Sequence, residues 1–489
     1  MKLRTNRAGF TLVEMLVATA LIMFIMLILS EAFVAGLNAF RTLKGIGDME
    51  SRIKSAVTPL RDDLRQDHFD GRRRLSDPLF WNQGTPREGF VNVTQGFYPV
   101  YSINAITPGL QTVTPLNSSG QNATQWSLSQ NTIQWYTWTL LPRTTLANGV
   151  TIPGTILLVD ATGTPEYVEV LAVTPTTFTA NFTANHPNAP ITIRVIRQPE
   201  GVDADSLLVT RATDHILHLA VKLRGNRQEN FFTAHLPWNS PFFPVLLNPG
   251  PPPPTVPNPN YTPTTFFDQA TDGRFQDQVS SPPITGYKTQ WAEIAYFLWP
   301  NGTSANGTPL FALYRAEFKV VPDNRYVNGW VYNPPVPPPI ASVNGWNPVT
   351  GDGYQEMSAR SGSTTIGGVT YNTYYFPSPS SLANMRTTAL GDSQPDRTFT
   401  YFYRAEGRGP FDPSAAEIWS ATLIATDVVS FDVQILSPQS GVADFTDIPG
   451  GVFDTAMQQP YTINAIKITL RVWDLKTRQT RQVSIIQDM

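Results

Sequence analysis

Few side chains in this sequence could do chemistry. Histidine occurs five times in 489 residues, as His68, His186, His215, His218 and His235, and cysteine is absent. The missing thiols exclude disulfides, thiolate metal centres and a cysteine nucleophile. His215 and His218 stand three apart, a spacing that shares one face of a helix. They sit at the lip of a strand-like run, Leu217 to Leu223 (LHLAVKL), which turns them to opposed faces instead. Asp203 and Asp205 could line a cation loop, but no third and fourth oxygen ligand is recognisable, so the pair reads as a polar turn. There is no phosphate-binding glycine loop, no Gly-x-Ser-x-Gly elbow and no zincin helix. The expectation is a protein that is not an enzyme, with no catalytic residue, no metal ligand and no cofactor.

One ionisable group stands where its charge is costly. Glu14 is the single charged residue in the apolar run from Phe10 to Leu29. That run is about 20 residues, which as a helix spans roughly the 30 Å hydrocarbon core of a bilayer. A carboxylate there costs a few kcal/mol on insertion scales and persists where a partner compensates it. The partner is expected on another chain. Ahead of the run, Lys2, Arg4 and Arg7 form a basic leader without an acidic residue, closed by Gly9. Such a leader stays cytoplasmic and places the C-terminal bulk on the opposite side. An ordinary secretory signal is cut after its apolar core. Here the plausible cutting point, between Gly9 and Phe10, precedes the core and would leave the membrane helix on the mature chain.

The order Gly-Phe-Thr-Leu-Val-Glu, Gly9 to Glu14, resembles the class III signal of type IV prepilins and type II secretion pseudopilins. The resemblance implies that a prepilin peptidase/N-methyltransferase cuts after Gly9 and methylates the new terminus. Phe10 is then the first mature residue and Glu14 the fifth. It implies further that Glu14 pairs with the terminal amine of a neighbouring subunit's Phe10 in the assembled filament. The expected partners are that peptidase, other pilins or pseudopilins and the inner membrane, with the C-terminal domain periplasmic or extracellular.

The elements that must carry this site follow from periodicity. Apolar residues continue at helix spacing through Phe33, Leu37, Phe40, Ile46, Met49, Ile53, Val57, Leu60 and Leu64. A helix from Phe10 to about Asp67 would be roughly 85 Å long, its first half in lipid or a filament core and its second half on a sheet. Pro59 should kink or divide it. The remainder is poor in charge, at 15%, and rich in proline, with 43 residues, which reads as exported and loop-rich. A net charge of -3 without a large basic block gives no reason to expect nucleic-acid binding.

The expected organisation is a cleaved leader at 1–9, a transmembrane helix at 10–29, an amphipathic continuation at 30–68 and a β-rich domain at 69–489. Four short runs, Thr155 to Val159, Glu166 to Val173, Thr177 to Phe182 and Ile191 to Ile196, predict a compact β insertion at about 154–198. Loop-rich excursions are expected at about 246–285 and 322–396, and a strand-like piece at Thr132 to Leu141. Gln290 to Trp299 and Pro309 to Val321 read as a hairpin. In Thr422 to Leu436, Val429, Phe431, Val433 and Ile435 should share one face, and in Ile463 to Trp473, Ile466, Ile468, Leu470 and Val472 should do so. The fold class is therefore α+β, a long N-terminal helix packed at its C-terminal half on an antiparallel sheet with large insertions.

Leu60 to Asp67 (LRDDLRQD), Ala295 to Leu298 with Leu313 to Arg315 (AYFL, LYR), Asp427 to Phe431 (DVVSF) and Ile466 to Trp473 (IKITLRVW) resemble segments of J-type minor pseudopilins and W-type minor pilins. This implies a minor pilin or pseudopilin of a type IV pilus or type II secretion pseudopilus, and the large insertions, which would crowd a tightly packed shaft, set the expectation of low copy at or near the tip. The alternative is a membrane-tethered surface binding protein or enzyme that uses the leader for export.

Overall fold

The computed structural model describes residues 11–71, 73–96, 99–116, 140–145, 147, 149, 151–160, 163–174, 176–202, 208–237, 278–280, 283–304, 309–320, 358, 360–366, 369–375, 378–384, 421–438, 444–474 and 479–489. The expected strand at 132–141 and the pair Asp203 and Asp205 lie almost wholly outside them. A single helix, α1 (Leu12–Arg65), opens the chain. Its apolar residues surround the helix through its first half and narrow to a stripe in the second. Met49, Ala56, Val57, Leu60 and Leu64 are buried, whereas Leu12 to Leu29, Phe33, Phe40 and Leu43 are exposed.

Of the two outcomes expected at Pro59, a kink or a division, the helix does not show division, since it runs on through the proline. Its missing N–H leaves the Ser55 carbonyl without its usual donor, but Ser55 is exposed, so water can take that bond. Around it the hydroxyl of Thr58 bonds back to Lys54 O at 2.9 Å and that of Ser55 to Arg52 O at 2.8 Å. Burial of Val57, Leu60 and Leu64 on the sheet outweighs the local preference to stop.

The strands follow in order. β1 (Val91–Thr94), β2 (Pro99–Ile103) and β3 (Gly109–Val113) precede a two-residue pair, β4 (Thr144–Thr145) and β5 (Thr151–Ile152). Next come β6 (Ile156–Val159), β7 (Glu166–Val173), β8 (Phe178–Phe182), β9 (Ile191–Val202), β10 (Leu208–Arg211) and β11 (Ile216–Lys222). β12 (Phe232–Pro237), β13 (Gln278–Ser280) and β14 (Pro283–Thr289) form a small sheet ahead of the hairpin β15 (Trp291–Thr303) and β16 (Pro309–Lys319). After the pair β17 (Arg360–Ile366) and β18 (Val369–Tyr375) and a short helix α2 (Pro379–Asn384) come β19 (Ala421–Leu436), β20 (Val452–Asp454), β21 (Ala465–Asp474) and β22 (Gln479–Asp488).

Two large sheets result. The first runs β20-β1-β11-β15-β16-β19-β21-β22, antiparallel throughout, with α1 against β19, β21 and β22. The second runs β10-β9-β6-β7-β8-β3, with β2 also on β9. The expected insertion is therefore larger than 154–198, since it recruits strands from Pro99 to Val113 and ends at Arg211. The regions expected to be loop-rich also hold β13, the start of β14, the β17–β18 hairpin and α2. One apolar core runs from Leu60 and Leu64 through Leu217, Ile294 and Tyr296 into Leu157, Val168 and Phe178 of the second sheet.

Alternation places β21 as expected, with Ile466, Ile468, Leu470 and Val472 in that core. In β19 a bulge between Val428 and Ser430 resets the phase, so Val428 joins the core with Phe431, while Val429 is buried outside that cluster. Beyond Val428 the edge of β19 that leaves β16 is closed by other groups. Phe431 N–H donates to Ala212 O at 2.9 Å, Val433 N–H to the His215 imidazole Nδ1 at 3.1 Å, and Ile435 N–H to Thr446 O at 3.0 Å. A ring nitrogen thus stands in for a strand carbonyl. Above it, Arg197 of β9 forks onto Asp432 at 2.8 Å and Asp447 at 2.5 Å, joining the two sheets.

Candidate functional site

The residues that could act lie at the head of α1. Thr11 is the N-cap, in extended conformation. Its hydroxyl accepts the Glu14 N–H at 3.3 Å, while the Thr11 N–H and hydroxyl donate to Glu14 Oε2 at 2.8 and 3.0 Å. This is a reciprocal capping box, which satisfies orphan donors at the helix start. Among the described residues Glu14 therefore has a partner in its own chain, Thr11, bonded through Oε2. The sequence carried the signal, a threonine three residues before a glutamate. Lys2, Arg4, Arg7, Gly9 and Phe10 lie outside the described residues.

From Leu12 the helix offers membrane-length apolar surface, and it alone among the described residues is long and apolar enough to cross a bilayer. The exposed run from Leu12 to Leu43 is about 48 Å, longer than the ~30 Å of hydrocarbon it could meet in a membrane.

The other end of α1 is fixed to the centre of the first sheet. Asp63, buried at the last turn, takes the Tyr296 hydroxyl at 2.5 Å on Oδ2, and the Arg315 guanidinium at 2.7 Å on Oδ2 and 3.0 Å on Oδ1. Arg315 also meets Glu317, which Lys319 approaches at 3.3 Å. Burial works against the Glu317 charge, but Arg315 and Lys319 beside it hold its carboxyl below the ordinary value. Burial next to Asp63 pushes the Tyr296 phenol up, so it stays a neutral donor. Two weaker ties lie further down, Arg52 with Asp427 at 3.3 Å and Glu50 with Arg481 at 3.9 Å. Asp63, Tyr296 and Arg315 fall in the segments LRDDLRQD, AYFL and LYR, yet nothing in a single sequence pairs residues 233 and 252 positions apart.

The histidines are dispersed. His68 bonds Ala220 O at 2.8 Å and Leu64 O at 3.3 Å. His186 lies 3.2 Å from both Asp160 and Glu166. Burial and the hydrogen bonds around those carboxylates act in opposite senses, and the hydrogen bonds win, holding both below their ordinary values. His215 and His218 turn to opposed faces, His215 to Val433 and His218 to Glu293 at 2.7 Å. Ser358 donates to the other oxygen of Glu293 at 2.5 Å, so the carboxylate separates hydroxyl from imidazole and the pair is not a nucleophile with its base. His235 falls on β12. Among the described residues no group of three or more histidine, aspartate or glutamate side chains could hold a metal ion.

No curated protein and no solved structure matches this chain. Residues 4–30 match the family model of the prokaryotic N-terminal methylation motif, which spans Gly9, Phe10, Thr11 and Glu14. The match supports a prepilin-type signal, with the processing and assembly such a signal implies, at the head of a type IV pilin-like or pseudopilin-like precursor.

Proposed function

We propose that this chain is a minor pilin or pseudopilin, a structural subunit that acts by assembling through α1 into a type IV pilus or type II secretion pseudopilus, without catalysis. The observation that carries this reading is the register of Gly9, Phe10 and Glu14 within the matched motif, at the head of a helix whose apolar surface is exposed. The length of that surface supports it. Lipid can cover about 30 Å, and Phe33 to Leu43 then need another cover, which neighbouring helices supply. The J-type and W-type likeness agrees with the second half of α1 lying on an antiparallel sheet, a pilin-like packing. A second seven-stranded sheet and further inserted strands would crowd a tightly packed shaft, which favours low copy near the tip. The precursor inserts in the inner membrane with its globular domain periplasmic or extracellular.

Two measurements test this. Mass spectrometry of the mature protein should find N-methylated phenylalanine at Phe10, and an intact Met1 terminus or a cut after Leu29 would overturn the processing. Co-purification with sheared filaments or pseudopilin partners should recover wild type and lose Glu14→Ala, which stays processed and inserted. Glu14→Asp should retain some of the recovery. Absence of wild type from every such complex would turn the assignment to a membrane-tethered surface binding protein or enzyme.

A further inference from the structure

Among the described residues β22 is the long open edge of the first sheet. Among the described residues it pairs with β21 alone, in unbroken register from Ala465↔Asp488 to Asp474↔Gln479. The opposite edge, β20, has 3 residues. The second sheet ends in β10, with 4 residues and a bulge at Val209/Thr210, and in β3, with 5 residues beginning at a glycine. Short strands and bulges are how sheets keep edges from pairing with other chains, as are proline and lysine. β22 spans 10 residues, QTRQVSIIQD, without bulge, proline or lysine, and its two charges, Arg481 and Asp488, stand near its ends.

The groups it presents follow from the ladder. Met489 N–H donates to Asn464 O at 3.1 Å, in line with the register, so the odd-numbered residues of β22 are the ones bonded to β21. The N–H groups of Thr480, Gln482, Ser484 and Ile486 therefore point away from the sheet. Ser484 agrees, its hydroxyl 3.2 Å from that of Thr469 across a close, non-bonded pair. The side chains of these residues are exposed, Ile486 by 58%, while Ile485 on the other face is buried. α1 packs on this same strand, with Glu50 near Arg481. A chain that covered the exposed length of α1 would thus lie beside an open row of backbone donors.

We propose that β22 is a β-augmentation site that takes an extended segment of a neighbouring pilin-like subunit in the same assembly. The proposal rests on the assembly reading above. Backbone donors and acceptors supply the attraction, and an apolar side chain beside Ile486 supplies the preference. Arg481 and Asp488 leave the strand without net charge, so charge does not select the partner.

Gln482→Pro in the full-length chain removes one outward N–H and leaves the β21 ladder intact, and Gln482→Ala keeps that N–H. The expected result is several-fold lower recovery of Gln482→Pro with filaments or pseudopilin partners, at unchanged membrane insertion and melting, and wild-type recovery of Gln482→Ala. Undiminished recovery of Gln482→Pro while Glu14→Ala is lost would overturn the edge proposal alone. Absence of wild type from every such complex would instead remove the assembly reading on which it rests. Because the chain has no cysteine, Ile486→Cys carries a single thiol for crosslinking in assembled material. A crosslink to another pilin-like subunit is expected. A crosslink only to a second copy, or none, would overturn the proposed occupant, and this readout decides if Gln482→Pro proves unstable.

Discussion

The two halves of α1 differ in apolar content and have opposite fates. From Leu12 to Leu43 apolar side chains point in all directions and almost none is buried, whereas from Met49 to Leu64 they form one stripe that is buried on the sheet. A helix apolar on every side has no face to give to water, and one with a single stripe can be satisfied by a single sheet. The packed half also carries Asp63 into that sheet, where it meets Arg315 and Tyr296. Folding of the chain by itself therefore completes only one half, and the other half is completed by its surroundings.

The contrast is tested most severely by Asp63→Ala. It leaves the Arg315 charge and the Tyr296 hydroxyl buried without their shared acceptor, and should cost about 3–5 kcal/mol in urea unfolding of the detergent-solubilised protein. Next is a matched pair. Leu60→Ala should cost about 2–4 kcal/mol by the same measurement, because Leu60 is 3% exposed and its removal leaves a cavity. Leu27→Ala, at 58% exposure, should change globule stability by less than about 0.5 kcal/mol. Equal costs for the two would mean that the halves are not distinct.

Acid separates the halves in another way, by acting on the sheets. Burial pushes the His215 imidazole down to about 4, and Nδ1 must stay unprotonated to accept the Val433 N–H. A base depressed in the folded state takes its proton first when unfolded. Stability is therefore full above about 6.5 and lost as pH falls from there toward about 4, by at most about 3 kcal/mol. Carboxylates held low add to this at more acid pH. For Asp447, burial opposes the charge but the Arg197 bonds prevail, so its contribution is present above the ordinary carboxylate range and disappears as pH falls through its depressed value. Thermal melts from pH 7 to 4 check the first window, and His215→Gln, whose amide oxygen can still accept from Val433, should flatten it. The smallest effect is Arg52→Ala, about 0.3 kcal/mol or less, since Arg52 is 52% exposed and water screens its end of the ion pair with Asp427.

How much could be read beforehand depended on the range of the interaction. The span of α1, the β15–β16 hairpin and the inward face of β21 follow from residues within a few positions of one another. The phase of β19 did not, because a bulge inserts one residue that no alternation reveals. β22 went unread, as its polar residues dominate the pattern and Ile485 is its single buried side chain. The fork of Arg197 and the Asp63 cluster join residues hundreds of positions apart, and nothing local marks them. At Pro59 the local rule was legible and lost to packing. At Thr11 the capping signal, a threonine three residues ahead of a glutamate, was present but unread.

The bond between Asp63 and the sheet has a mechanical consequence. Tyr296 and Arg315 belong to β15 and β16, which sit fourth and fifth in a sheet of eight strands. Tension on the far end of α1 would thus enter through the middle of the sheet, not through a rim strand. Strands pulled from a rim unzip bond by bond, whereas a load delivered at the centre is divided among neighbours on both sides. A continuous helix of 54 residues tied at that point would work as a pull-rod.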